Sequence, residues 1–285
     1  MSLDTIKRRI GSIQTTAKIT NAMKLVATAK LKRQRDRLAA IKDYAYDYYD
    51  VMGLLLSVVD DVDFLVNDGA KDVVLYININ STMGLAGSFN FNVNKVVDEH
   101  LRDQDITFTI GKKGKDHLRE VRKEHVINKY LNLHDSELTF DTAMQIANEA
   151  LELYESKAIK QIRIIYTKFI NAITFEVKTI DVLPFDKNSL SNSVNAGELE
   201  KDNIIFQPDK ISVIKKILPS YIATILYGCL LESKISENAS RRNAMEASTK
   251  NAKQLADHYK QIYNTLRQTK ITNEITEIVA GSDDE

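Results

Sequence analysis

The segment ITNAMKLVATAKLKRQRDR (residues 19–37) carries two patterns at once. Between residues 18 and 42 there are eight lysines or arginines and a single acid, Asp36. Apolar residues nevertheless recur through the same segment at alternating steps of four and three, which is the spacing of a coiled-coil seam. The segment therefore predicts a helix that buries one narrow face and leaves a strongly positive surface around the rest.

The same seam extends from residue 6 to residue 59, well beyond the quoted segment. Thirteen of its sixteen positions are apolar. The positions are Ile6, Ile10, Ile13, Ala17, Thr20, Lys24, Ala27, Leu31, Gln34, Leu38, Ile41, Ala45, Tyr48, Met52, Leu55 and Val59. A helix over residues 1–60 would be about 80 Å long, and only another long helix could cover a seam of that length.

The last third of the chain predicts that second helix, over residues 213–285. Between residues 221 and 280 there is no proline and one glycine, Gly228, while Pro219 occupies a position suited to the first turn of a helix. Residues 236–252 are rich in alanine and serine. Small residues permit a close approach between two helices while each buries little area. The two long helices are therefore expected to support each other.

The middle of the chain, residues 66–212, has the pattern of a Rossmann-like α/β domain inserted between the two helices. An acidic linker (60–72) and a polar linker (186–203) delimit it. Strands are predicted at 72–79, 105–111 and 126–130, alternating with helices at 88–103, 112–124 and 139–157. Two further strands predict a hairpin that turns at Asn171-Ala172. The expected fold class is α/β with a mostly parallel sheet.

No arrangement of side chains indicates catalysis, a metal or a cofactor. The loop GLAGSFN (84–90) follows the first strand but has neither dinucleotide-binding nor P-loop spacing, and GKKGK (111–115) fails both patterns as well. Tight strand-to-helix turns explain both segments better than phosphate loops do. The five histidines lack metal-ligand spacing, and the one cysteine, Cys229, lies in an apolar run typical of a packed core. We therefore expect a non-catalytic protein without cofactors.

Composition restricts any charge argument to local surfaces, because 39 basic residues balance 39 acidic ones. The N-terminus lacks the apolar region of a secretory signal, and no run of about 18 apolar residues predicts a membrane-spanning helix. The basic segment leaves three interpretations open: a solvated helix face, a nucleic-acid surface making phosphate contacts, or a surface for an acidic protein partner. The zero net charge and the lack of a nucleic-acid motif weigh against the second. An enzyme built on the α/β domain is a further alternative.

Motifs at opposite ends of the chain resemble the signatures of one family. IKRRIGSIQTTAKITNAMKLVATAKLKR (6–33) is similar to the N-terminal helix of gamma subunits of F-type ATP synthases. RRNAMEASTKNA (241–252) and YNTLRQTKITNEITEIVAGS (263–282) resemble the C-terminal signature of the same subunits. The resemblance covers essentially the whole chain. It implies a long antiparallel coiled coil of the N- and C-terminal helices, with the α/β domain inserted between them.

The resemblance also implies a function, that of a rotor shaft without catalysis of its own. Such a shaft stands inside a hexamer of alternating alpha and beta subunits and offers each beta subunit a different face, so that rotation cycles the catalytic sites. On this hypothesis the basic surface meets acidic lever segments of the beta subunits. The other implied partners are the epsilon subunit and a proton-conducting membrane c-ring. The implied location is peripheral, at the cytoplasmic face of a bacterial cell membrane.

A set of rotor–stator coupling residues follows from the same resemblance. Four of them, Lys18, Thr20, Met23 and Lys24, belong to the motif KITNAMK (18–24). Six others match positions of the C-terminal signature: Arg241, Arg267, Gln268, Thr272, Glu274 and Glu277.

Two segments depart from the family pattern. Met83 and GLAG (84–87) replace a basic residue followed by GLCG, and Gly281 precedes a serine and three acids where the family has Gly-Ala. These departures affect the end of the rotor that bears the load more than the shaft signature. They leave a rotor of an F1-like ATPase that drives some other load as an alternative hypothesis.

Overall fold

The computed structural model describes residues 2–57, 67, 69–184, 206–207 and 209–282, except for the side chains of 42–46, 49–50, 54, 56–57 and 278–282. The predicted polar linker and most of the acidic one lie outside the described residues. By packing, the chain divides into two compact units. The first contains the segments Met1–Ala29 and Arg241–Glu285, and the second contains Lys30–Ser240. Two helices, α1 (Leu3–Ser57) and α5 (Lys210–Ser282), contribute to both units.

The second unit is built on a five-stranded sheet. Its elements after α1 are β1 (Val74–Ile79), α2 (Phe89–His100), β2 (Ile106–Ile110), α3 (Lys112–Glu120), β3 (Ile127–Leu131), α4 (Phe140–Glu155), β4 (Gln161–Phe169) and β5 (Phe175–Leu183), followed by α5. The strand order is β3-β2-β1-β4-β5. The first four strands are parallel and β5 is antiparallel to β4. The predicted Rossmann-like class with a closing hairpin is therefore confirmed.

Both faces of the sheet are covered, as a parallel sheet requires. Side chains alternate along β1, so that Leu75 and Ile77 point into the larger core while Val74 and Tyr76 point into the smaller one. Apolar residues of α1, α4 and α5 fill the larger core, and residues of α2 and α3 fill the smaller one. Because β1 is buried on both sides, its sequence is almost continuously apolar.

The hairpin between β4 and β5 turns where the sequence predicts. The Asn171 side-chain oxygen accepts hydrogen bonds from the backbone N–H groups of Ile173 and Thr174, at 2.9 and 2.8 Å. An asparagine side chain that accepts from the backbone two residues later is the usual stabilising contact of such a turn.

The predicted role of Pro219 is wrong. Helix α5 begins at Lys210, so the proline lies inside the helix instead of opening it. A proline inside a helix removes one backbone hydrogen bond and costs about 3 kcal/mol. Ile214 and Leu218 on the preceding turns are almost fully buried in the larger core, and their burial offsets that loss.

Of the described residues, one helix is long and apolar enough to cross a membrane by length and composition alone, α5 between Lys210 and Glu277. Just over half of the qualifying window is buried inside the protein. Ile214, Leu218, Ile222 and Leu226 of this helix belong to the larger core. The core helix of a folded domain passes the same test, so the expectation that no segment spans a membrane remains a prediction.

Candidate functional site

In the first unit the two long helices run antiparallel. Arg9 lies over the ring of Tyr259, with 5.1 Å between the guanidinium carbon and the ring centre. Further along α1, the hydroxyl oxygens of Thr20 and Thr249 are 2.7 Å apart. Positions that ascend along α1 thus pair with positions that descend along α5. The antiparallel coiled coil implied by the resemblance is confirmed here.

The predicted seam of α1 is the face that packs against α5. Ile6, Ala17 and Ala27 are buried in this unit, and Thr20 is half-buried beside Thr249. Alanines at the seam allow the two backbones to approach closely, which explains why so many small residues occur there. Thr249 is itself buried and also donates to the carbonyl oxygen of Met245 at 2.8 Å. The pairing of the two helices is therefore part apolar and part hydrogen-bonded.

The opposite side of α1 exposes large aliphatic side chains. Ile19, Leu25 and Val26 are 56%, 60% and 56% exposed. We call this surface the outer face of α1 and define it as Lys18, Ile19, Leu25 and Val26. Several large aliphatic side chains exposed together are typical of a surface that contacts another protein. Sequence reasoning missed the three aliphatic residues because it considered only the charges; their positions outside the seam were the available signal.

A groove of about 530 Å³ lies between α1 and α5 beside the outer face. Its lining residues are Gln14, Ala17, Lys18, Asn21, Lys253, Ala256, Asp257 and Lys260. Lys260 is paired with Asp257 at 2.9 Å. Three lysines and one aspartate give the groove a net positive charge, so it favours an anionic group such as a carboxylate.

The basic segment is less uniform than the sequence suggests, because several of its side chains have partners within the chain. In the first unit the ammonium group of Lys24 lies 3.9 Å from the Glu246 carboxylate. In the second unit Lys30 pairs with Asp135 at 2.8 Å, and Arg35 lies over the ring of Phe169. The expectation of one positive surface for an external partner is therefore corrected: part of the charge holds the chain together.

The ten predicted coupling residues lie in three parts of the chain: the N-terminal motif (18–24), Arg241, and the last turns of α5. Lys18 is exposed and lines the groove, whereas Thr20, Met23 and Lys24 are half-buried, with Thr20 and Lys24 paired to α5. Arg241 is buried, at 9% exposure. The remaining five lie on the last turns of α5 and are exposed: Arg267, Gln268, Thr272, Glu274 and Glu277. These ten residues do not form a single site.

The last turns of α5 also expose apolar side chains. Leu266, Ile271 and Ile275 are 36%, 46% and 57% exposed. Local contacts satisfy some polar neighbours: Thr272 donates to the carbonyl oxygen of Gln268 at 3.0 Å, and Lys270 pairs with Glu274 at 3.5 Å. This end of the helix is thus a mixed apolar and polar surface, like the outer face of α1.

The turns of the α/β domain that resembled phosphate loops are filled by protein groups. In the GLAG turn, the Ala86 carbonyl oxygen accepts a hydrogen bond from the Ser240 hydroxyl at 2.6 Å. At the other turn Gly111 has a φ of +90°, and a Cβ there would lie 2.3 Å from the Asn80 carbonyl oxygen. The Asn80 amide donates to the Asn94 side-chain oxygen at 2.8 Å. Both segments act as tight strand-to-helix turns. No cluster that could hold a metal occurs among the described residues.

Comparison with known proteins gives one consistent family. A family model described as ATP synthase matches residues 2–283. The ATP synthase gamma chain of Ureaplasma urealyticum serovar 10 is 70% identical over 286 residues and covers 100% of both chains. The ATP synthase gamma chain of Malacoplasma penetrans is 39% identical, over 99% of this chain and 98% of its own length.

Comparison with solved structures also gives matches to chains of ATP synthases. A chain in the central stalk and c-ring structure of the Tetrahymena thermophila mitochondrial ATP synthase matches with a TM-score of 0.61 at 27% identity, over 80% of this chain and 98% of that one. A chain of the Euglena gracilis mitochondrial ATP synthase rotor has a TM-score of 0.68 at 18% identity, over 94% and 98%, which shows the shared fold. These matches favour the rotor hypothesis over a nucleic-acid scaffold, an α/β enzyme or a rotor for another load. The chain therefore belongs to the ATP synthase gamma-chain family, the non-catalytic central-stalk subunits of the F-type enzyme.

Proposed function

We propose that the outer face of α1 is the surface on which this rotor meets the catalytic beta subunits. We further propose that the rotor couples its rotation both to the conformational cycling of those subunits and to proton flow through a membrane ring. The observation that carries the proposal is the exposure of Ile19, Leu25 and Val26 on a helix whose other face is buried against α5. Burying three aliphatic side chains would favour contact with a partner by about 25 cal/mol per Å² of apolar area.

The chemistry of this surface selects the kind of partner. Aliphatic side chains beside Lys18, with a positively charged groove alongside, fit an amphipathic helix that carries carboxylates. The acidic lever segment that the resemblance implies for the beta subunits would be a partner of this kind. Charge would guide the approach, while the apolar contacts would hold whichever lever is engaged.

Coupling then follows from asymmetry. The outer face occupies one side of the stalk, so at any moment it can engage one beta subunit more fully than the other two. A subunit that is engaged differently is biased toward a different conformation, and rotation transfers that bias in turn. Because such coupling is reciprocal, a change in nucleotide occupancy also biases the angle of the stalk.

The remaining predicted residues are proposed to act at two further places. Met23 borders the outer face, and Thr20 and Lys24 pair with α5 from half-buried positions. Arg241 is proposed to support that pairing from its buried position. The exposed residues of the last turns of α5 are proposed to contact the hexamer: Arg267, Gln268, Thr272, Glu274 and Glu277.

We also propose the division of the chain into a stalk, residues 1–60 with 213–285, and an α/β domain, residues 66–212, that contacts the epsilon subunit and the c-ring. The bacterial gamma chain at 70% identity supports a location at the cytoplasmic face of a bacterial cell membrane. No nucleotide or nucleic acid is proposed as a ligand.

Affinity purification of the tagged chain from its native cell, with mass spectrometry of the bound subunits, tests these partners. Recovery of alpha, beta, epsilon and c-ring subunits is the expected result. Recovery of alpha and beta without the ring would overturn proton coupling, and recovery of none would overturn the proposal altogether.

A matched pair of variants tests the outer face itself. In the purified complex, Leu25→Asp is expected to reduce ATP-driven proton pumping at least several-fold relative to the Thr28→Asp control, which introduces the same charge at an exposed position of α1 outside the outer face. Equal pumping by the two variants would show that the outer face is not the contact surface.

A further inference from the structure

In the second unit, one loop of the α/β domain is attached to α1 at two points. The loop between β3 and α4 contains Asp135, whose carboxylate pairs with the Lys30 ammonium group at 2.8 Å. Its backbone carbonyl oxygen also accepts a hydrogen bond from Arg37 at 3.4 Å. Residues seven apart lie on the same face of a helix, two turns from each other. Asp135 therefore spans two turns of α1.

The hairpin of β4 and β5 contacts α1 from another direction. The guanidinium group of Arg35 lies 5.8 Å from the ring centre of Phe169, which in turn is next to Phe175. At 3.6 residues per turn, Arg35 points about 140° away from Lys30 and about 160° away from Arg37. The α/β domain thus holds α1 from two nearly opposite sides.

The second helix is attached at the same level. The backbone N–H of Thr167 on β4 donates to the Ser233 hydroxyl at 3.1 Å, and the Ser236 hydroxyl donates to the Thr167 carbonyl oxygen at 3.2 Å. One turn further on, Ser240 donates to Ala86. These three serines of α5 lie on one face of the helix and are all buried.

Between the two helices the packing is apolar. Leu31 of α1 contacts a small cluster with Ile235 and Ala239 of α5, and Leu38 and Phe169 pack against it. Beyond this level both helices continue into the first unit. The described contacts of the second unit therefore offer a route by which torque passes between the α/β domain and the two helices.

We propose that these contacts form a torsional clamp, in which Asp135 is the positioning residue that resists rotation of α1 relative to the α/β domain. Contacts on opposite sides of a helix oppose its rotation as a couple, whereas contacts on one side would let it roll. The clamp rests on the proposed rotor function and adds to it the place where torque passes from the α/β domain to the stalk.

The test uses the assembled complex, with the hexamer fixed to a surface and a marker on the α/β domain. Asp135→Asn removes the ion pair, and the variance of the marker's angle is expected to increase roughly two-fold. The number of protons pumped per ATP hydrolysed should fall in parallel, because a weakened clamp lets the α/β domain slip relative to α1 under load. Asp141→Asn is the matched control, since Asp141 is exposed six residues away and lies in no ion pair among the described residues.

Two further variants separate the clamp from a general loss of stability. Asp135→Glu keeps the carboxylate and is expected to restore most of the stiffness. Lys30→Gln should match Asp135→Asn, and the double variant should be no worse than either one alone. If Asp135→Asn and the Asp141→Asn control have the same angular variance, the clamp is refuted. If instead the wild-type complex neither assembles nor pumps, it is the proposed rotor function that fails.

Discussion

The buried carboxylate of Asp105 offers a sharp test of the α/β domain. Asp105 is 1% exposed and precedes β2, where its two oxygens accept four hydrogen bonds. One oxygen accepts from the Val74 backbone N–H at 3.0 Å and from an Arg102 terminal nitrogen at 2.8 Å. The other accepts from the backbone N–H and the side-chain Nε of Arg102, both at 3.0 Å. Every donor is an N–H, so the site requires acceptors only.

The substitution Asp105→Asn replaces one carboxylate oxygen, to which two N–H groups donate, with an NH₂ group. Whichever oxygen becomes the NH₂ group, one backbone N–H and one guanidinium N–H lose their acceptor. Leaving a buried donor unsatisfied costs about 1–3 kcal/mol, and the loss at Arg102 is smaller because its side chain is 45% exposed and can reach water. We therefore expect the substitution to lower the free energy of unfolding by roughly 3 kcal/mol.

The pH dependence follows from the same contacts. Burial by itself would raise the pKa of Asp105, but the hydrogen bonds from Arg102 and from the Val74 N–H outweigh burial and hold the pKa below its ordinary value. A carboxyl with a lowered pKa stabilises the fold fully above the unfolded-state pKa of about 4. That stability is lost as the pH falls through the lower folded-state value. The difference between wild type and Asp105→Asn should therefore narrow below about pH 4.

Urea unfolding of the chain, followed by circular dichroism, measures the effect. A loss of about 3 kcal/mol should move the midpoint by roughly 1 M urea. Asp103→Asn is the control, because its side chain is 80% exposed and pairs only loosely with Lys123 at 3.6 Å. Equal midpoints for the two variants at pH 7 would refute the account of Asp105 as an acceptor-only site.

Three further predictions concern other parts of the chain. Met23→Lys adds a cation at the border of the outer face; it should reduce the protons pumped per ATP hydrolysed by the complex, and an unchanged ratio would contradict the proposed contact. Gly111→Ala should lower the free energy of unfolding by more than about 3 kcal/mol or prevent folding, because φ is +90° and the new Cβ meets the Asn80 carbonyl oxygen. Gly11→Ala, in open space inside α1, should instead raise the free energy of unfolding by about 0.5–1 kcal/mol. Urea unfolding measures both changes. Burial, with the nearby Glu232 carboxylate, raises the pKa of the Cys229 thiol, so a thiol reagent at pH 8 should label the chain only after unfolding, and rapid labelling of the native chain would contradict its burial.

Patterns that repeat along the chain were predictable from the sequence alone. The seam of α1 could be identified because a helix that buries one face must repeat apolar residues at that face, and Ile6, Ala17, Ala27 and Leu31 are buried as expected. The alternation of strands and helices likewise predicted the α/β class, because parallel strands need helical crossovers. These features depend on local spacing, which the sequence displays directly.

Features that depend on distant contacts could be seen only in three dimensions. Pro219 looked like a helix start, and only the burial of Ile214 and Leu218 in the core explains why the helix runs through it. The basic segment looked uniform, yet Lys30 meets Asp135, 105 residues later in the chain, whereas Lys18 borders a groove. Charge and propensity are properties of single residues and short segments. Which charge is neutralised, and which aliphatic side chain remains exposed, depends on what the rest of the chain places beside it.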